Sequence, residues 1–451
     1  MNLRDEIPHG DELPRVRTAL PGPRAQALVE TLARFECPGL TARRRRREEL
    51  SGASHDPIVW SSARGANVAD ADGNIYVDMT AGFGAALIGH THPHVVAALR
   101  AQCGRMLHAL GDVYPSDVKV ALEARLAQMA PWPARVILGL SGADAIEAAL
   151  KTAVLHTKRP GVIAFEGGYH GLSYGAVAAC GYKRAFRAPF ARQLNAHVRF
   201  APYADASVDG SLARSLDAVD RALSHGDVGA VLVEPVQGRG GVVVPPSGYL
   251  AALSERARRV GAVLIVDEIY TGLRRAGGLW RALDDGCVPD VVCLGKALGG
   301  GLPVSACVMR DEVARAWGDP DGEAIHTSTF LGNPLACAAA MASLDVLDAP
   351  ETRSAIDAMG AALADALDAL ARDGGLGIVQ VTHVGLLAGV TVAGGVARSL
   401  AVMRTMLERG YVVLPGGVAG DVLTLTPPCT LTAAQLVGFA QALDASLRAV
   451  R

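Results

Sequence analysis

From about residue 115 to 310 the chain alternates short apolar runs with stretches of helical periodicity, the pattern of βαβ units that build a parallel sheet. Residues 135–138, 162–165, 230–233, 262–266 and 291–294 are the predicted strands, with helices between them. Upstream, Asp72-Gly73-Asn74 predicts a turn between two short strands. Downstream, Gly332-Asn333-Pro334 opens an Ala-rich helix to about Leu347; after Ala349-Pro350 the pattern predicts a helix, strands within 377–392, a helix near 396–409, a strand pair near 411–426 and a last helix from Ala433. The first fifty residues differ. Gly22-Pro23, Cys37-Pro38 and the run Arg43 to Arg47 followed by Glu48-Glu49 predict an arm with a short helix whose arginines face solvent. The expected organisation is an arm (1–50), the first part of a smaller domain (51–95), a large domain (96–345) and the C-terminal part of the small α+β domain (346–451).

Composition narrows the ligand class. The 451 residues allow a large core without disulfides or metals, and 43 basic against 45 acidic side chains give a formal charge of −2. That balance argues against nucleic acid or a membrane surface as a partner and for small molecules. Mean hydropathy is high at +0.25, yet each apolar stretch, such as residues 261–266, is broken well short of a membrane span. The charged start Met1-Asn2-Leu3-Arg4-Asp5-Glu6 lacks the apolar core of a secretion signal, so a cytoplasmic location is expected. Eight cysteines, with no C-x-x-C pair, read as reduced core residues and not as zinc ligands.

Three predicted strands each end in a charge, Glu234, Asp267 and Lys296, spaced 33 and then 29 residues apart, about one crossover each. Parallel strands would place all three on one carboxyl edge, where open α/β sheets bind ligands. Lys296 precedes Ala297-Leu298-Gly299-Gly300-Gly301, which lets backbone approach a ligand. A desolvated lysine there can form a Schiff base with an aldehyde, and pyridoxal phosphate chemistry also needs a carboxylate, here Asp267, to keep the pyridinium nitrogen protonated. Ser141-Gly142-Ala143-Asp144-Ala145 follows a strand and opens a helix, as a phosphate site requires. Tyr169 offers an aromatic face just past another strand.

These pieces resemble the class-III pyridoxal-phosphate aminotransferases of fold type I over roughly residues 55 to 445. The resemblance rests on ordered motifs: Asp-Gly-Asn-x-Tyr-x-Asp at 72–78, Gly-His-x-His-Pro at 89–93, Ser-Gly-Ala-Asp-Ala at 141–145 and Tyr-His-Gly at 169–171, then Glu-Pro-Val-Gln-Gly at 234–238, Asp-Glu-Ile-Tyr-Thr-Gly at 267–272, Gly-Lys-Ala-Leu-Gly-Gly-Gly at 295–301 and Thr-Phe-Leu-Gly-Asn-Pro at 329–334. It implies an α/β fold with a mostly parallel central sheet flanked by helices, plus a smaller α+β domain from the chain's two ends. It implies pyridoxal 5'-phosphate as cofactor, Lys296 as its Schiff-base lysine and Asp267 as the pyridinium partner. Tyr169 and Ile269 would cover the ring faces, Gly142 and Ala143 would give amides to the phosphate, and Glu234 and Tyr270 would be further cofactor contacts. Thr329 would reach the phosphate of the neighbouring subunit, implying a homodimer with shared sites. Amine and keto-acid substrates follow, in a transfer from an amino acid or ω-amine to a keto or aldehyde acceptor, with aminomutase, racemase and decarboxylase chemistry as alternatives on the same scaffold.

The chain departs from the family in places. Tyr270 stands where a Gln usually contacts the ring hydroxyl. Arg239, in Gln237-Gly238-Arg239-Gly240-Gly241, and Thr424, before Pro427-Pro428, stand where a Glu and an Arg usually form a substrate gate. A cation at 239 could bind a substrate carboxylate directly. Two other patterns carry less. His90, His92 and His94 alternate without second ligands, and no metal is expected. Gly171-Leu172-Ser173-Tyr174-Gly175 matches a hydrolase elbow, but Ser173 lies eight residues past Phe165, too far from the strand. A catalytically silent scaffold remains a further reading, and His170 and His326 are read as core or loop histidines.

Overall fold

Unbroken runs of Val, Ile, Leu and Ala form strands buried on both faces, separated by turns from the helices that cover them. The computed structural model describes residues 7–52, 57–318 and 323–450, in two compact units: Met1–His92 with Ser354–Arg451, and Pro93–Arg353. The first unit begins with two helices, Pro23–Phe35 and Pro38–Ser51, where the sequence predicts one. Each starts on a proline, whose fixed φ and missing N–H suit the first helical position. Strands β1 (Trp60–Arg64), β2 (Asn67–Asp70) and β3 (Ile75–Asp78) follow as an antiparallel meander. Its β2–β3 turn is set by Asp70, whose Oδ1 accepts the N–H groups of Asp72 and Asn74, with Gly73 at φ +82° between them.

The second unit holds strands β4 (Ala134–Gly139), β5 (Gly161–Phe165), β6 (Val198–Ala201), β7 (Val228–Val233), β8 (Val263–Asp267), β9 (Val291–Leu294) and β10 (Ser305–Arg310). They form one sheet in the order β4-β10-β9-β8-β7-β5-β6, parallel from β9 to β6, with β10 antiparallel to both its neighbours. The apolar pattern did not single out β6 and β10. β6 is a half-buried edge strand carrying Arg199. β10 returns from β9 through a loop with one tight turn, Lys296–Gly299, too short for the crossover helix that marks a parallel strand. Ala145, Ile146, Ala148, Ala149 and Ala153 of the helix Gly142–Thr157 pack on one sheet face; Leu250 and Leu253 of the helix Tyr249–Arg259 pack on the other. The second unit runs past residue 345, because Arg125 pairs with both Asp345 and Asp348 and ties the end of the helix Pro334–Asp348 to this body.

The first unit resumes with β11 (Ile378–Val384), β12 (Leu387–Val392), β13 (Tyr411–Val412), β14 (Leu414–Gly416) and β15 (Val422–Leu425). β13 adds parallel to β3, joining the two ends of the chain in one sheet, while β11-β12-β15-β14 form an antiparallel sheet. Leu363, Val390, Met406 and Phe439 are among its core residues. Six of the eight cysteines are buried and all eight are free; Cys37 and Cys103 are exposed, at a helix start and a helix end, against the expectation of core positions for all. Among the described residues no helix is long and apolar enough to cross a membrane.

Candidate active site

The parallel strands β7, β8 and β9 lie side by side, with Val233 opposite Val266 and Asp267 opposite Cys293, so Glu234, Asp267 and Lys296 share one carboxyl edge. Lys296 opens the tight turn after β9 with a left-handed φ of +39°, a strained value for a residue with a side chain. Burial pushes its ammonium below the usual lysine range; Asp267 and Glu234 oppose that shift, and Arg239 and Arg275 add to it. That shift favours the neutral, nucleophilic form of the amine relative to a solvent-exposed lysine. Its Nζ lies 4.4 Å from the centre of the Tyr270 ring, which occupies the place of the expected Gln.

Asp267 is 4 % exposed and held from two sides. Oδ1 accepts the Ile269 N–H at 3.0 Å, and Oδ2 accepts Nδ1 of His170 at 2.8 Å. Burial opposes a charge on His170, but the Asp267 bond and the negative charges of Asp267 and Glu234 outweigh it and hold the imidazole above its usual range. His170 is thus the site residue that the sequence reading passed over. Its signal is position: it directly follows Tyr169, past β5, which neighbours β7. Glu234 accepts the N–H groups of Tyr169 and Gly238 through its two oxygens, and burial, with Asp267 adding, raises its carboxyl to about 7 against the opposing charge of His170.

Ser141 caps the helix Gly142–Thr157, its Oγ accepting from Asp144 N while Asp144 Oδ2 accepts the Leu140 and Ser141 amides. The Gly142 and Ala143 amides, as first N–H groups of a helix, have no intrahelical acceptor and form part of the positive end of its dipole. Gly142 packs closely against Ile269: a Cβ there would meet Ile269 Cδ1 at 2.9 Å, so the Ile269 side chain would have to shift. Gly171, at φ +113°, packs as tightly on Ala143 and brings the Tyr169 loop to this helix end. Arg239 lies with its guanidinium carbon 4.8 Å from the Tyr169 ring centre. Thr329 sits apart, exposed in the turn before Asn333 and without a hydrogen bond among the described residues.

The hydrolase reading finds no comparable arrangement among the described residues. Ser173 Oγ donates to Glu147 at the start of the helix Tyr174–Ala178, with no histidine bonded to it among the described residues. His90 binds Asp78 and His94 binds Asp345. Thr424 lies on β15, in the other unit.

A lysine amine of lowered pKa, a buried carboxylate fixed by a histidine, and open helix amides beside a closely packed glycine make a donor set suited to an aldehyde-bearing, phosphorylated pyridine. The sequence pattern of the class-III aminotransferases matches residues 50–447. The acetylornithine aminotransferase of Methanopyrus kandleri is 37 % identical over 397 residues, covering 88 % of this chain and 96 % of the relative. That of Methanosarcina mazei is 34 % identical over 388 residues, covering 86 % and 91 %. Among solved structures, the ornithine aminotransferase of Toxoplasma gondii superposes with a TM-score of 0.82 at 30 % identity, covering 94 % of each chain. An (S)-enantioselective omega-transaminase from Thermomicrobium roseum gives 0.85 at 27 % identity, covering 96 % of this chain and 100 % of its own. The strand-edge lysine and its buried carboxylate therefore belong to a class-III aminotransferase, a pyridoxal-phosphate enzyme of fold type I.

Proposed function

We propose that the enzyme moves an amino group from an amino acid or ω-amine to a keto-acid or aldehyde acceptor, with Lys296 as the residue that carries the cofactor. The observation behind this reading is the part-buried, strained Lys296 on the same sheet edge as Asp267. When bound, pyridoxal phosphate supplies a carbonyl carbon for amines and a ring that accepts the electrons of a deprotonated substrate carbon. Lys296 Nζ holds the cofactor and, once a substrate amine displaces it, takes and returns the proton of the substrate carbon. Asp267 keeps the ring nitrogen protonated, and His170 fixes the orientation of Asp267. The Gly142 and Ala143 amides hold the phosphate, and Tyr169 and Ile269 flank the ring, with Glu234 and Tyr270 at its margin.

Thr329 completes the phosphate site of a second copy, so the working form is a homodimer; its exposure in a single chain supports this. Cytoplasmic residence rests on eight free thiols, which an oxidising compartment would tend to pair. Two measurements test the reading together. Borohydride-reduced, digested protein should carry its pyridoxyl group on Lys296, and a panel of amines should convert the bound cofactor to its amine form. Label on another lysine, or no conversion with any donor, refutes it.

A further inference from the structure

The loop after β7 is built to hold one guanidinium still. Gln237 and Val243 exchange backbone hydrogen bonds of 3.1 and 3.2 Å, closing a tight hairpin with Arg239 near its tip. Gln237 Nε2 donates to the Glu166 carbonyl at 2.7 Å, anchoring the hairpin to the end of β5. Gly238 lies against Tyr270 so closely that a Cβ would fall 1.9 Å from the ring, and buried Val242 is forced to φ +58°. From this fixed backbone the Arg239 side chain reaches two aromatic faces. Its guanidinium carbon is 4.8 Å from the Tyr169 ring centre and 5.1 Å from that of Tyr182, and Tyr182 is itself stacked on Phe186 at 5.9 Å.

Aromatic faces hold a guanidinium in place without neutralising it. No carboxylate pairs with Arg239 among the described residues, and its Nε is buried without a hydrogen-bond partner. A buried, unsatisfied donor on a cation is costly unless a ligand completes it. Its position identifies the site it serves: the Tyr169 N–H donates to Glu234 Oε2 at the sheet edge, and the charge on Arg239 is felt at Lys296.

We infer that Arg239 is a specificity-determining residue that binds the carboxylate of the substrate, and that the enzyme therefore selects carboxylate-bearing acceptors over uncharged aldehydes. This rests on the aminotransferase reading above. Because no acidic side chain has to move away first, the carboxylate meets a cation already oriented by Tyr169 and Tyr182. The planar fork matters as well as the charge, since only a guanidinium combines stacking with two-point carboxylate binding.

The test compares pyruvate and 2-oxoglutarate with propanal and butanal as acceptors, using one amine donor, in the wild type, Arg239→Gln and Arg239→Lys. For the better keto acid, KM should rise roughly ten- to a hundredfold in Arg239→Gln, the range of one charge-assisted contact. Arg239→Lys should recover part of that loss, and the loss for the aldehydes should be several-fold smaller in both variants. In the wild type, added salt should raise KM for the keto acids more than for the aldehydes, a measurement that does not depend on either variant folding. Equal losses for both acceptor classes, no loss for either, or a salt effect shared by both would overturn the inference while leaving the aminotransferase reading in place. Absence of a pyridoxyl label at Lys296 would instead remove the reading on which it rests.

Discussion

His170 Nδ1 donates to Asp267 Oδ2 across 2.8 Å, and both side chains are almost wholly excluded from water. The bond joins the loop after β5 to the end of β8, two strands not adjacent in the sheet, with β7 between them. It fixes one oxygen of the carboxylate while the Ile269 amide fixes the other, so Asp267 has little freedom to rotate. Removing the imidazole leaves a buried charge short of a donor. His170→Phe should destabilise the protein by about 3 kcal/mol, the scale of breaking one side of a buried charged pair. His170→Asn, whose amide can stand in for Nδ1–H, should recover part of that loss and more of the turnover. Denaturant titration and steady-state rates of the two variants decide the matter; equal losses would assign the effect to packing.

Lys296 bears on stability as well as chemistry. Its folded pKa is lowered, chiefly by burial, so between that value and the ordinary 10.5 the unfolded chain binds more protons than the folded one. Stability of the cofactor-free wild type should therefore rise with pH through this window. Lys296→Met fills similar space without a charge. It should abolish turnover yet be more stable than the wild type at pH 7, with the advantage shrinking as pH approaches 10.5. Denaturation of both proteins without cofactor at pH 7 and pH 10 measures this, and a constant difference would contradict it.

The sequence carried the strand-edge charges because each depends on a local pattern: an apolar run, then one charged residue. β7, β8 and β9 run in parallel and deliver Glu234, Asp267 and Lys296 to one edge as their spacing requires. The helix start at Ser141 was equally local, its capping box closing within three residues. The His170 contact was not legible because it spans 97 residues, and nothing in a Tyr-His-Gly segment says which ring points inward. The Tyr182 face beneath Arg239 was hidden for the same reason, 57 residues upstream in a loop without periodicity. β10 escaped notice because an antiparallel insertion needs no crossover helix to announce it.

Glu268 follows Asp267 and is equally buried, with Oε1 accepting the Ala282 amide and Oε2 bonded to Thr271 Oγ1. Burial raises its carboxyl to about 7 from an ordinary 4.5. The folded state therefore holds the proton more tightly, and stability contributed by the neutral acid is lost as pH rises from about 4.5 through 7. Glu268→Gln keeps the shape, the acceptor for Ala282 and a donor for Thr271. It should stabilise the protein at pH 8 by about 3 kcal/mol, from roughly 1.4 kcal/mol per pH unit, with the gain vanishing near pH 4.5. Urea midpoints of both proteins across pH 5 to 8 test this; parallel pH curves would show that Glu268 does not titrate differently on folding.

The role proposed for Thr329 requires a second copy. In one chain it is exposed and bonded to nothing described. If Thr329 serves the neighbouring subunit, Lys296→Ala and Thr329→Arg disable different halves of each shared site. A mixed dimer then has one site with both residues intact and one with neither. Random reassortment makes about half of the dimers mixed, so an equimolar mixture of the two inactive variants should recover about a quarter of wild-type activity. If Thr329 served its own chain instead, each mixed dimer would carry one defect in each site, and mixing would restore nothing. Activity after joint denaturation and refolding, compared with each variant refolded alone, separates the two arrangements.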